Sequence, residues 1–118
     1  MSLHKYFYVK EKLSQAVYSL AVLPGDVRNR LRLAFLTFHT LRQDDFPLAL
    51  QKDWLWIKKQ LTRFGPVYDY KGDVAVGSVD NTMRIIRNST GVKIAKRIYN
   101  LNMEIENYIN EIPSSKRF

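Results

Sequence analysis

No cysteine occurs among the 118 residues. That excludes disulfides, thiolate metal ligands and thiol nucleophiles, and it favours a reducing, cytoplasmic setting. Histidine is nearly missing too. His4 and His39 are the two present, so a two-histidine metal site is not expected, and no helical His-Glu-x-x-His arrangement exists. No phosphate-loop or dinucleotide fingerprint is found, and no cofactor is expected. No apolar run approaches the ~20 residues that a membrane span requires. Lys5, Lys10, Glu11 and Lys12 interrupt any leader-like apolar stretch early. Without a leader, the glycosylation sequon Asn88-Ser89-Thr90 reads as chance. Glycine (5) and proline (4) are scarce, which leaves room for few loops and favours long elements.

What is there is an ordinary globular balance, 46% hydrophobic and 25% charged, which argues against disorder. The length suits one core, so one helical domain over 1–118 is expected, with a loose tail at 113–118. The net charge is +8 and unevenly placed. Residues 1–64 carry 11 basic and 5 acidic side chains, and residues 79–100 carry 5 and 1. The stretches 65–78 and 101–118 are each −1. A concentrated positive field favours an anionic partner, nucleic acid first and a lipid surface second, although net charge also serves solubility.

Apolar spacing predicts the elements. Tyr6, Val9, Leu13, Val17 and Leu20 mark a first helix over His4–Val22, stopped by Pro24-Gly25. Asp26 is a natural N-cap for a second helix over Val27–Leu41, with Val27, Leu31, Ala34, Phe35, Phe38 and Leu41 as its stripe. A third helix is expected from Pro47, capped by Asp44 or Asp45, to Gly65-Pro66. Its core face is Leu50, Trp54, Ile57, Leu61 and Phe64. Residues 66–77 read as a short hairpin around Lys71-Gly72 or as an irregular loop. Ser78 then caps a helix through Val79, Met83 and Ile86, which Asn88-Ser89-Thr90-Gly91 either breaks or bends. Ile94, Ile98, Leu101, Ile105, Tyr108 and Ile112 form a heptad seam. That seam packs either inside the bundle or against a second copy, making a homo-oligomer. The fold class expected is all-α, an antiparallel bundle of four to five helices.

Three basic constellations carry the functional expectation. Lys52, Trp56, Lys59 and Arg63 fall in one line on the third helix, away from its core stripe. A tryptophan between cations can stack on a base while the cations neutralise phosphates; equally, it can pack on a neighbouring helix. Arg28 and Arg32, with His39 further along the same side, can meet successive phosphates or form a solvated flank. Arg84, Arg87, Lys93, Lys96 and Arg97 form the third cluster. If a helix begins near Thr90, Lys93, Lys96 and Arg97 oppose its macrodipole, as Glu104, Glu106 and Glu111 do at its other end. Asn88-Ser89-Thr90-Gly91 also has the makings of a phosphate-binding helix N-terminus.

The function expected is therefore binding of nucleic acid, DNA or RNA, in an accessory or regulatory role without catalysis or metal. The alternative is a self-associating protein-interaction module using the seam or exposed aromatics such as Trp56 and Tyr68. Arg32 and His39 also loosely resemble the Arg…His pair of HEPN-type helical ribonucleases, although Leu33 stands where that family tends to carry a polar residue. That resemblance implies RNA cleavage as a minor alternative.

Overall fold

The structure, a computed structural model, describes residues 4–112; the tail at 113–118 lies outside the described residues. Five helices pack on one another, with one short antiparallel hairpin. They are α1 (His4–Val22), α2 (Val27–Phe38), α3 (Gln51–Leu61), α4 (Ser78–Ile85) and α5 (Asn88–Glu111). The hairpin strands are β1 (Val67–Tyr68) and β2 (Val74–Val76), paired Val67 to Val76 and Tyr68 to Val74.

The periodic apolar positions become the core. Val9, Leu13 and Ala16 of α1, Leu31, Ala34 and Phe38 of α2, and Ile98, Leu101 and Ile105 of α5 are fully or almost fully buried. α1 and α5 run antiparallel, since Tyr6 meets Tyr108 edge-on at 5.4 Å while Ser14 reaches back to Asn102 at 3.3 Å. Asn102 Oδ1 also accepts from Lys10 Nζ at 3.1 Å, and Lys10 pairs with Glu106 at 3.7 Å. A buried amide satisfied by two donors from one neighbour fixes the register of that helix pair, because a slip would leave it unsatisfied.

Asp26 caps α2 as expected, accepting from the Arg28 and Asn29 amides. Several boundaries differ from the sequence expectation. α2 ends at Phe38, because the chain turns at His39–Thr40 to bury Leu41 separately. Asp45 caps a 3-10 turn at Gln43–Asp45 by accepting from the Arg42 amide, and does not cap α3. After Pro47 the chain makes a second 3-10 turn, Leu48–Leu50, and α3 itself starts at Gln51. Phe46 stacks on Trp54 at 5.2 Å, and Phe38 meets the same ring edge-on at 5.6 Å. This aromatic trio ties the connecting segment to α2 and α3. α3 ends at Leu61 with Thr62 as its C-cap, a turn earlier than the Gly65-Pro66 stop expected, and Gly65 takes φ +65° in the turn that follows. Phe64 is exposed and not core, because α3 stops at Leu61 and the helical phase is lost.

Gly77, not Ser78, is the N-cap residue of α4. The chain breaks at Ile86–Arg87, so α5 is a separate helix and Asn88-Ser89-Thr90-Gly91 is its first turn. The heptad reading also needs correction at its end. Ile109 is buried, while Tyr108 is only half-buried and Ile112 lies just beyond the helix. A straight α-helix drifts by about 20° per heptad, so the inward stripe passes from the heptad positions to Ile105 and Ile109. The seam from Ile94 to Ile105 is buried within this chain, which makes it a core stripe and removes it as a surface for a second copy. Among the described residues, no helix is long and apolar enough to cross a membrane.

Candidate functional site

The first basic row and part of the third come together. α2 and α4 flank a groove of about 330 Å³ lined by Arg28, Asn29, Arg32, Met83 and Arg84, with Asp26 and Asp80 among its walls. Sequence reasoning placed the arginines in separate clusters, and the packing of α2 on α4 joins them. A second hollow of about 440 Å³ adjoins it, with Arg32 and Asp80 lining both and Lys58 and Phe35 lining the second alone.

Each guanidinium in the first groove is held differently. Arg28 Nη2 pairs with Asp26 at 2.7 Å, and its Nη1 donates to the Ile86 carbonyl at 3.1 Å, bridging to the α4–α5 junction. The hydrogen bond from Arg28 holds the Asp26 carboxyl below its usual range. Arg32 Nη2 donates to Asn29 Oδ1 at 3.0 Å, and Arg84 Nη2 donates to Asn81 Oδ1 at 2.7 Å. Asn81 is itself buried, giving its amide hydrogens to the Gly65 carbonyl at 3.0 Å while Thr82 Oγ1 accepts from the Phe64 amide. Asn29 and Asn81 are neither cations nor aromatics, so charge and ring content pass over them. The repeated Asn-x-x-Arg at 29–32 and 81–84 is the sequence signal that points to them.

The second constellation is rearranged by α5. The Arg97 guanidinium covers the Trp56 ring at 4.4 Å and donates to Asp53 at 3.0 Å. Arg97 therefore belongs with α3 and not with Arg84 and Arg87. Trp56 is half-buried beneath it, so its covered face is not an open stacking platform. Lys52, Lys59 and Arg63 remain exposed on α3, with Arg63 over the Phe64 ring at 5.2 Å. Glu104 faces the same Asp53. Burial first, and then the Asp53 carboxylate, push the Glu104 carboxyl above its usual range.

Arg87, Lys93 and Lys96 are exposed at the start of α5. The break at 86–87 leaves these cations near the positive end of the helix, although Lys93 and Lys96 lie beyond its first turn, where that field fades. In the Asn88–Gly91 turn, Asn88 and Ser89 are exposed and Gly91 faces inward. The Thr90 and Gly91 amides both bond the Arg87 carbonyl, and Gly91 is buried against Val27 and Leu31. His39 Nδ1 meets the Leu36 carbonyl of its own helix at 3.0 Å, and no hydrogen bond joins it to Arg32. Among the described residues, no group of three or more His, Asp or Glu side chains is placed to hold a metal.

No protein-family model, curated protein or solved structure matches this chain.

Proposed function

We propose that this protein binds nucleic acid, DNA or RNA, through the sugar–phosphate backbone, in an accessory or regulatory capacity. One observation carries the reading: among the described residues, most of its cations have no carboxylate in ion-pair contact. Among the described residues, Lys10, Arg28 and Arg97 are the basic side chains in ion pairs. Arg32, Arg84, Arg87, Lys52, Lys59, Arg63, Lys93 and Lys96 are not, and three arginines converge on one groove. Unpaired cations of this kind release counterions from a polyanion on binding, a sequence-independent gain that falls steeply with salt. Fluorescence anisotropy with mixed-sequence duplex and single-stranded oligonucleotides at increasing salt tests the reading. A linear decline of log affinity with log salt is expected; no binding at low salt overturns it.

A protein-interaction role draws separate support from the hairpin. Tyr68, Tyr70 and Val74 are exposed there, Tyr70 at 93%. Light scattering of the wild type and a Tyr70→Ser variant tests self-association through this tip. A monomer at high concentration in both removes that reading.

A further inference from the structure

We infer that the α2–α4 groove is a clamp for one phosphate oxyanion, with Arg32 and Arg84 as its opposed jaws. This rests on the nucleic-acid reading and names where a backbone phosphate sits. The sequence repeats one device on two helices, Asn29-Arg30-Leu31-Arg32 and Asn81-Thr82-Met83-Arg84. Residues three apart share a helical face, and in both cases the asparagine oxygen accepts from the arginine Nη2, at 3.0 Å and 2.7 Å. Both arginines line the same groove.

The choice of asparagine matters. A carboxylate at either place would orient the guanidinium but also neutralise it. An amide oxygen holds the fork through one hydrogen and leaves its charge and its other donors available. The side-chain ordering that an anion would otherwise impose is then already present before binding, which favours affinity. A planar carboxylate matches one guanidinium fork. A tetrahedral phosphate offers oxygens in several directions and can accept from two helices at once. Arg28 adds a third guanidinium at the edge, partly neutralised by Asp26. Asp80 is the opposing group: it lines the groove and takes part in no ion pair among the described residues. Its negative charge makes it a gauge of what the groove binds.

The test has two arms. In the first, anisotropy with mixed-sequence oligonucleotides compares wild type with R32Q/R84Q. We expect at least about tenfold weaker binding at low salt and a log–log salt slope smaller by about one, for the single phosphate the two jaws share. R42Q/K71Q removes the same charge elsewhere and should leave affinity within about twofold. In the second arm, inorganic phosphate is titrated into ¹⁵N-labelled wild type and D80N while the arginine Nε–Hε signals are followed. Saturable movement of the Arg32 and Arg84 signals, tighter in D80N, is expected.

Equal oligonucleotide affinity and slope in wild type and R32Q/R84Q overturn the clamp and leave the nucleic-acid reading standing. Wild type that fails to bind any oligonucleotide, yet shows the phosphate response, overturns the nucleic-acid reading and retains the groove for a small phosphorylated molecule. Silence in both arms overturns both.

Discussion

The Arg97 guanidinium lies 4.4 Å from the centre of the Trp56 ring, steered there by the Asp53 carboxylate at 3.0 Å. An exposed cation–π contact is worth about 0.5–1 kcal/mol, and an exposed ion pair adds about 0.2–1 kcal/mol. Arg97→Ala should therefore destabilise the protein by about 1 kcal/mol in urea unfolding and shift tryptophan emission to the red as Trp56 is uncovered. Arg97→Lys should recover only part of the loss, because an ammonium lacks the flat face that stacks.

The same contact predicts a pH effect at Glu104. Its folded-state carboxyl titrates above its ordinary value near 4.5 because burial and Asp53 disfavour its charge. The folded state therefore holds the proton more tightly than the unfolded chain. The associated stability is present below the ordinary value and is lost as pH rises through the raised one. Glu104→Gln should flatten this part of the profile and slightly stabilise the protein at neutral pH, by a few tenths of a kcal/mol, since the site is largely solvated. Asp26 works in the opposite sense, its carboxyl being lowered by Arg28, so its contribution fades as pH falls. The difference between Glu104→Gln and wild type, measured by denaturant unfolding across the acidic range, isolates the Glu104 effect.

At Gly91, α5 approaches α2 closely. A Cβ there would stand 2.9 Å from Val27 Cγ1, a stiff and buried neighbour. Alanine gains up to about 1 kcal/mol in helix propensity, but overpacking of a tight core typically costs 1–3 kcal/mol. Gly91→Ala should be net destabilising by about 1 kcal/mol, and Gly91→Val by more. Adding Val27→Ala should make the Gly91→Ala change less harmful, a coupling that a double-mutant cycle reads directly.

The α5 stripe predicts an unequal pair. Ile98 is fully buried and Ile109 nearly so, whereas Ile112 is half-buried beyond the helix end. Ile98→Ala and Ile109→Ala should each cost about 2–5 kcal/mol, with Ile112→Ala well below either. Because the stripe faces this chain's own core, the unfolding midpoint of Ile98→Ala should not depend on protein concentration.

Local pattern carried most of the fold. The Tyr6–Leu20 and Leu50–Leu61 periodicities and the Asp26 cap act within a few residues, so they are legible in one dimension. Boundaries were less legible where tertiary burial competes with helix continuation. Burying Leu41 and Phe46 beside Trp54 drew the chain out of α2 and into 3-10 turns. The site was legible only in its parts. Arg28, Arg32 and Arg84 stand out as cations, but nothing local says that α2 lies against α4. Trp56 looked like a stacking residue because Arg97, 41 positions away, does not appear beside it in the sequence.

By itself, then, the sequence determined the helical class, the Asp26 cap and the large positive charge, since propensity, capping, periodicity and composition are short-range or additive properties. The tertiary structure decided which cations share a surface, that Arg97 covers Trp56, and that the Ile94–Ile105 stripe faces inward. Those outcomes depend on how helices dock, and docking is set by the shapes of faces built from residues far apart in the chain.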